Sequence, residues 1–235
     1  MAVIHEGNNS LKERANKYKL LAITFFSIPI IYIVAFIMGF YFNGPHHLLP
    51  FILGWPGLYF WKKYTVLRSG VQGEERTANV LEGLPSGYEV FSSVHLSTDS
   101  GTTELDHVII GENGVFVVEV KNHNGSIYGR EEDHTWTQHK VGRKGGEYSK
   151  EMRNPVKQVR RQVHILSDYL KRNNTKVWVE GVVYFSNPQV YVNVTTVRTP
   201  VFSSSNELSY FLTNYEPKRK MNASDIEKVK RLIAN

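Results

Sequence analysis

Three residues carry the chemistry that this sequence makes possible: Asp106, Glu119 and Lys121, in the stretch DHVIIGENGVFVVEVK that runs from Asp106 to Lys121. His107 to Ile110 and Val115 to Val120 are rich in β-branched and aromatic residues, and Gly111-Glu112-Asn113-Gly114 between them is turn chemistry, so the stretch predicts a β-hairpin. A turn centred between Glu112 and Asn113 sets Asp106 opposite Glu119, whereas Asn113-Gly114 as the two-residue turn sets Asp106 opposite Lys121. Side chains alternate between faces, so either register puts Asp106, Glu119 and Lys121 on one face of the sheet. Two carboxylates and an ammonium on an apolar hairpin lose hydration when buried, and something must compensate. Carboxylate oxygens are hard ligands suited to Mg²⁺ or Mn²⁺, which leave positions for waters and phosphate oxygens. A lysine beside such an ion can position or help deprotonate a water, or stabilise a pentavalent phosphate. The arrangement suits phosphodiester hydrolysis. The plainer reading of the same spacing is a cross-strand ion pair on a solvated sheet face, which contributes little.

Further motifs surround the hairpin: GEE at 73 to 75 opening a helix, ELDHVII at 104 to 110, GVFVVEVKNHNGSI at 114 to 127, Trp136, and NPVKQ at 154 to 158 opening a second helix. From about Gly73 to Leu170 the chain resembles the nuclease-related domain (NERD) family, a branch of the PD-(D/E)XK, restriction-endonuclease-like superfamily. The resemblance implies that Asp106, Glu119 and Lys121 are the catalytic triad, that Glu74 is the glutamate of the first helix, and that Gln158 is the glutamine of the later helix. It implies a Mg²⁺- or Mn²⁺-dependent nuclease in which Asp106, Glu119 and the backbone carbonyl of Val120 bind metal and Lys121 orients or activates the attacking water. The family's usual proline before the catalytic aspartate is absent, and Leu105 stands in its place.

The elements that must position these residues follow from the rest of the chain. Its 235 residues hold one domain plus extra segments, and the absence of cysteine excludes a disulfide framework and a thiolate zinc site. The net charge of +6 favours an anionic partner, nucleic acid or an anionic membrane surface. Leu20 to Phe42 is 23 residues without a formal charge, long enough to cross a bilayer as a helix kinked at Pro29. Leu48 to Trp61 is apolar too but only 14 residues long and interrupted by Pro50, Gly54 and Pro56. With His46 and His47 drawn in, it makes a second span (46–61); otherwise it is re-entrant or interfacial. Lys12, Arg14, Lys17 and Lys19 precede the first segment, Lys62, Lys63 and Arg68 follow the second, and the link between has no Lys or Arg. The positive-inside rule then predicts a membrane hairpin with both basic clusters, and the domain, in the cytoplasm.

The predicted organisation is thus a cytoplasmic N-terminal segment (1–19), a membrane region (20–61), a linker (62–72), a nuclease-like core (73–175), and C-terminal strands and helices (176–235) that complete the domain. Glu74 to Gly83 reads as a helix with Glu74, Ala78 and Leu81 on one face. Tyr88 to Leu96 alternates as a strand, and Ser97 to Thr103 reads as a polar loop. Ser126 to Gly129 is a further short strand. His107 and His123 flank the site, and a lone histidine near a strand end reads first as a structural or surface group. Glu131 to Arg153 reads as a polar, basic loop in which Arg143 and Lys144 could touch phosphates. Asn154-Pro155 starts a helix with Val156, Val159, Val163, Leu166 and Leu170 as its apolar stripe. Lys157, Arg160 and Arg161 lie on or beside its exposed side, where they could track a nucleic-acid backbone. Val177 to Phe185, Val190 to Val194 and Pro200 to Phe202 read as strands extending the sheet. Asn206 to Asn214 and a capping-box helix opening at Ser224 close the chain.

The fold class expected is α/β, a restriction-endonuclease-like mixed sheet flanked by helices behind an N-terminal membrane hairpin. The expected function is a membrane-anchored nuclease that hydrolyses DNA with a metal-activated water, its partners being DNA and the lipid bilayer. The alternative is a non-catalytic membrane-tethered module that binds nucleic acid or a protein through the same fold.

Overall fold

A computed structural model describes residues 1–40, 44–99, 101–142, 145–217 and 221–234. The chain divides into two compact units, Met1–Asn8 together with Gln72–Asn235, and Asn9–Val71. The second unit is a helical hairpin inserted after the first strand, β1 (Val3–Glu6).

In the hairpin unit, α1 (Ser10–Ile37) starts at Asn9, whose side chain accepts from the Lys12 N–H at 2.7 Å, and carries Pro29 inside it. A 3₁₀ turn (Pro45–Leu48) and α2 (Leu49–Gly54) lead into α3 (Pro56–Glu82). The return leg lies antiparallel against α1, with Gly54 against Pro29 and Gly57 against the Phe26 ring; further on, the Phe60 ring stacks on Phe25 at 5.4 Å and Gly70 lies against Leu11. The residue numbers of each pair fall on one side while they rise on the other, as two antiparallel helices require. α1 is long and apolar enough to cross a membrane, and only 6% of its most apolar stretch is buried. Ile30, Ile31 and Ile37 on α1, and Leu49, Ile52, Trp55 and Leu58 on the return leg, are exposed large apolar side chains. Tyr41 to Asn43, at the end of the expected first span, lie outside the described residues.

The expected linker at 62–72 is helical, because α3 continues through it to Glu82. Its one glycine, Gly70, is a site of close approach. A Cβ on Gly70 would stand 2.8 Å from Leu11, and one on Gly73, the next along, 2.6 Å from Asn122.

The mixed α/β unit is built on two sheets. β2 (Glu89–Thr98), β3 (Gly101–Gly111) and β4 (Gly114–Lys121) form an antiparallel meander. The expected polar loop at Ser97 to Thr103 is largely strand, since β2 and β3 pair out to Thr98 and Gly101. β5 (Gly125–Arg130), β6 (Thr135–Val141) and β7 (Glu147–Arg153) follow, then α4 (Pro155–Arg172), β8 (Val179–Phe185), β9 (Val190–Thr195), β10 (Val201–Phe202), α5 (Ser205–Asn214) and α6 (Ala223–Ala234). The larger sheet has the order β1-β2-β3-β4-β8-β10, with β1 parallel to β2 and β8 parallel to both β4 and β10.

Alternation along β3 and β4 sorts the core into two layers. Val108, Ile110, Val115 and Val117 pack with Val156, Val159 and Leu166 of α4 and with Val229 and Ile233 of α6. Ile109, Phe116, Val118 and Val120 pack on the other side with Leu81 of α3 and with Leu208 and Leu212 of α5.

β5, β6, β7 and β9 make a separate four-stranded sheet, so Val190 to Thr195 pairs with β5 instead of extending the main sheet. The segment read as a basic loop contains the β6–β7 hairpin. Its strands escape pattern reading because only Trp136, Gln138 and Met152 face the interior while Glu, Lys, Ser and Tyr fill most remaining positions. The last helix is capped by Asn222, whose side chain accepts from the Asp225 N–H at 2.7 Å, two residues before the expected Ser224.

Candidate active site

The hairpin register is the first of the two that the turn allows. Gly111 pairs with Gly114 and His107 with Val118, which carries Asp106 to the position opposite Glu119. Asp106, Glu119 and Lys121 therefore share the face that α4 covers, where α4 contributes Gln158 and Gln162 to the same cluster.

The cluster is tightly bonded. Glu119 is 1% exposed, and its Oε1 accepts from Lys121 Nζ at 2.5 Å. Its Oε2 accepts from Gln162 Nε2 at 2.6 Å. Lys121 Nζ also donates to Gln158 Oε1 at 3.0 Å. Asp106 Oδ2 accepts from the Val120 N–H at 2.8 Å, which locks the carboxylate to the opposite strand. Glu74, half-buried on α3, is close enough for its charge to act on both Asp106 and Lys121.

The electrostatics of the cluster favour a further cation. Burial pushes the Asp106 carboxyl well above the usual range, and the charges of Glu119 and Glu74 push it further, against the pull of Lys121 and the Val120 N–H. Burial alone would lower the Lys121 ammonium, but Glu119, Asp106 and Glu74 outweigh it and hold the group above its ordinary value. Lys121 is thus a fixed cation. Among the described residues no three His, Asp or Glu side chains sit closely enough to hold an ion by themselves. Two carboxylates completed by water and phosphate oxygens are nonetheless a donor set that Mg²⁺ accepts.

The raised Asp106 has a sign that can be checked. A carboxyl whose folded value lies above its unfolded one favours folding at low pH, and that contribution is lost as pH rises through the folded value. In chelator, Asp106→Asn should therefore raise the thermal midpoint relative to the unaltered protein, by a margin that grows from pH 4 towards pH 8. A margin independent of pH would reject the cause.

Gln162 is the residue that pattern reading passes over. It is buried at 2% exposure on the apolar side of α4, between Val159 and Leu166, and also donates to the Glu104 carbonyl at 3.3 Å. An amide within an apolar stripe, one turn beyond Gln158, was the available signal. Gln162→Leu removes a charge-assisted bond and strands Glu119 Oε2. The expected cost is about 1.5–3 kcal/mol, read as a lower urea midpoint.

The other candidates take varied places. His107 points away from the cluster, buried, with Nδ1 on Ser92 Oγ at 2.9 Å, and burial lowers it to about 4. It is a neutral structural histidine. Lys157 Nζ donates to the Glu132 carbonyl at 2.7 Å, and the Arg160 guanidinium pairs with buried Glu131 while its Nε donates to Thr199 at 3.0 Å. Arg161 is exposed. Arg143 and Lys144 lie outside the described residues.

A carboxylate pair and lysine on the central hairpin of a mixed sheet, braced by two glutamines of a covering helix, define the class of site. The chain belongs to the nuclease-related domain family, which matches residues 69–186. The match takes in every member of the cluster, from Glu74 to Gln162. An uncharacterized protein of Bacillus anthracis is 44% identical over 79 residues, covering 33% of this chain and 37% of that protein. The chain thus spans little more than a third of that relative's length. No solved structure matches the chain.

Proposed function

We propose that the protein is a membrane-anchored, metal-dependent nuclease that hydrolyses phosphodiester bonds of DNA, built on a restriction-endonuclease-like fold. The observation that carries the reading is the convergence of Asp106, Glu119 and Lys121 on one covered face, where Glu119 and Glu74 raise the affinity of Asp106 for positive charge. Asp106, Glu119 and the Val120 carbonyl would hold Mg²⁺ or Mn²⁺, which when bound supplies Lewis-acid chemistry and a more acidic water. Lys121, kept cationic by its neighbours, stabilises charge on the scissile phosphate oxygens and orients the water. Gln158 fixes the lysine head, Gln162 fixes Glu119, and Glu74 adds negative potential. Water attacks phosphorus, the bond to the leaving oxygen breaks, and that oxygen takes up a proton.

The membrane reading draws on the order of the chain. β1 precedes α1 yet pairs with β2, which follows α3, so both ends of the helical hairpin return to one sheet. A polypeptide that crosses a bilayer between two paired strands must cross an even number of times, which favours a two-span hairpin over a single span. The basic residues at both its ends support a cytoplasmic side for the domain. Trp55, Tyr59 and Trp61, all exposed, suit an interfacial belt.

One observation favours a second reading, a tethered binding module without catalysis. Both oxygens of Glu119 are already occupied, by Lys121 and Gln162, so metal binding there must displace or share a bond. Full-length protein in detergent, incubated with supercoiled plasmid, linear duplex, single-stranded DNA and RNA, with Mg²⁺, Mn²⁺ or chelator, separates the two. Metal-dependent cleavage of DNA is the expected result. Binding without cleavage in either metal would transfer the site to the module reading. The full chain is required because residues before Arg68 include β1, which completes the edge beside β2 and buries Ala2.

A further inference from the structure

The face of the small sheet that bears Trp136 also carries two lysines, half-buried Lys140 and exposed Lys150. Register places Gln138 opposite Lys150 and Lys140 opposite Tyr148, so Lys140 and Lys150 are diagonal neighbours on the face that also bears Trp136. Glu147 and Glu151 alternate to the other face of β7. Among the described residues, no carboxylate lies within ion-pair distance of Lys140 or Lys150. The strip is tied to the active site. Gln138 Nε2 donates to the Asn124 carbonyl at 2.6 Å, and a Cβ on Gly125 would lie 3.3 Å from Lys140 Cγ. The Asn122-His123-Asn124 link that begins at Lys121 therefore ends beside Gln138 and Lys140.

We propose that His123, Lys140 and Lys150 form a phosphate subsite beside the Asp106-Glu119-Lys121 cluster, and that it binds the sugar-phosphate backbone of the nucleic-acid substrate next to the scissile bond. The inference rests on the nuclease reading for the direction in which substrate lies. Burial, and then the charges of Lys121, Lys140 and Lys150, hold the His123 ring down at about 4. Burial and Lys150 also lower the Lys140 ammonium. Lys150 thus acts on Lys140, and both act on His123. A backbone phosphate satisfies all of them, with the neutral His123 ring as a hydrogen-bond donor and two ammonium groups as charge partners. The modest net charge of the whole chain is consistent with such a local grip, since the lysines need only meet one or two phosphates.

The test measures binding apart from hydrolysis. Full-length protein in detergent and chelator is titrated with a fluorescein-labelled single strand of about 20 nucleotides, between about 50 and 200 mM salt. Each phosphate contact contributes about 0.7 to the slope of log affinity against log salt. Lys150→Gln, at an exposed strand position, should flatten the slope by about 0.7 and the Lys140→Gln/Lys150→Gln pair by about 1.4, with Lys→Arg at both sites keeping it. An unchanged slope in the double variant, or no binding by the unaltered protein, overturns the subsite. So does a charge dependence seen with phosphatidylserine vesicles and not with the oligonucleotide, which would assign the strip to lipid. Hydrolysis is assayed separately. A flattened slope in a protein that never cleaves keeps the subsite and removes the nuclease reading, whereas cleavage with an unchanged slope does the reverse.

Discussion

Glu119→Gln should lower the rate of phosphodiester hydrolysis by on the order of 100-fold or more, the usual effect of removing one preorganised electrostatic group from an active site. The substitution keeps the shape of a side chain that is 1% exposed and leaves Gln162 an oxygen to bond. What it removes is charge. Lys121 loses the partner that most raises it, and Asp106 loses the carboxylate that most raises it after burial. The variant should consequently keep its thermal midpoint in chelator, or gain, while losing activity in Mg²⁺ and in Mn²⁺. Asp106→Ala and Lys121→Ala should fall to a similar floor, and because the three act together their losses should not multiply when combined. Hydrolysis at the unaltered rate in Glu119→Gln would remove Glu119 from the chemistry. Equal loss in all three with an unchanged fold would establish the triad.

The second large effect is on stability. Asn154→Ala should cost about 3 kcal/mol, combining about 1–2 for a lost helix cap with the orphaning of buried carbonyls. Asn154 is 2% exposed. Its Oδ1 accepts from the Val156 N–H at 2.9 Å, and its Nδ2 lies 3.2, 3.1 and 2.8 Å from the carbonyls of Arg130, Glu131 and Asp133. One amide therefore starts α4 and ties it to the end of β5. Because α4 carries Gln158 and Gln162, activity should fall in parallel as the helix start loosens. Asn154→Asp, which keeps the cap oxygen and loses the donors, separates the two contributions. A urea midpoint unmoved in Asn154→Ala would show that the carbonyls find other partners.

The helix start and the hairpin with its turn were legible locally, because β-branched runs, a Gly-x-x-Gly turn and an Asn-Pro cap act over a few residues. Either register placed Asp106, Glu119 and Lys121 together, and only the folded pairing decided that Asp106 faces Glu119. The β6–β7 hairpin was hidden because a strand in a small, largely solvated sheet needs little apolar alternation, and Glu131 to Arg153 shows almost none. The helical state of residues 62–72 was not legible either, because α3 runs through them as one continuous helix to Glu82.

By itself the sequence determined that two carboxylates and a lysine share a strand face and that an apolar segment precedes them. Those properties depend on residue type and on periods of two or three to four residues. The tertiary structure decided the rest. It brought Gln162 across from α4 to Glu119, paired the first strand with the sheet that follows the helical hairpin, and set Lys140 and Lys150 beside His123. Each of these joins residues 17 to 86 positions apart. Such separations are closed by packing and sheet pairing, which no local pattern encodes.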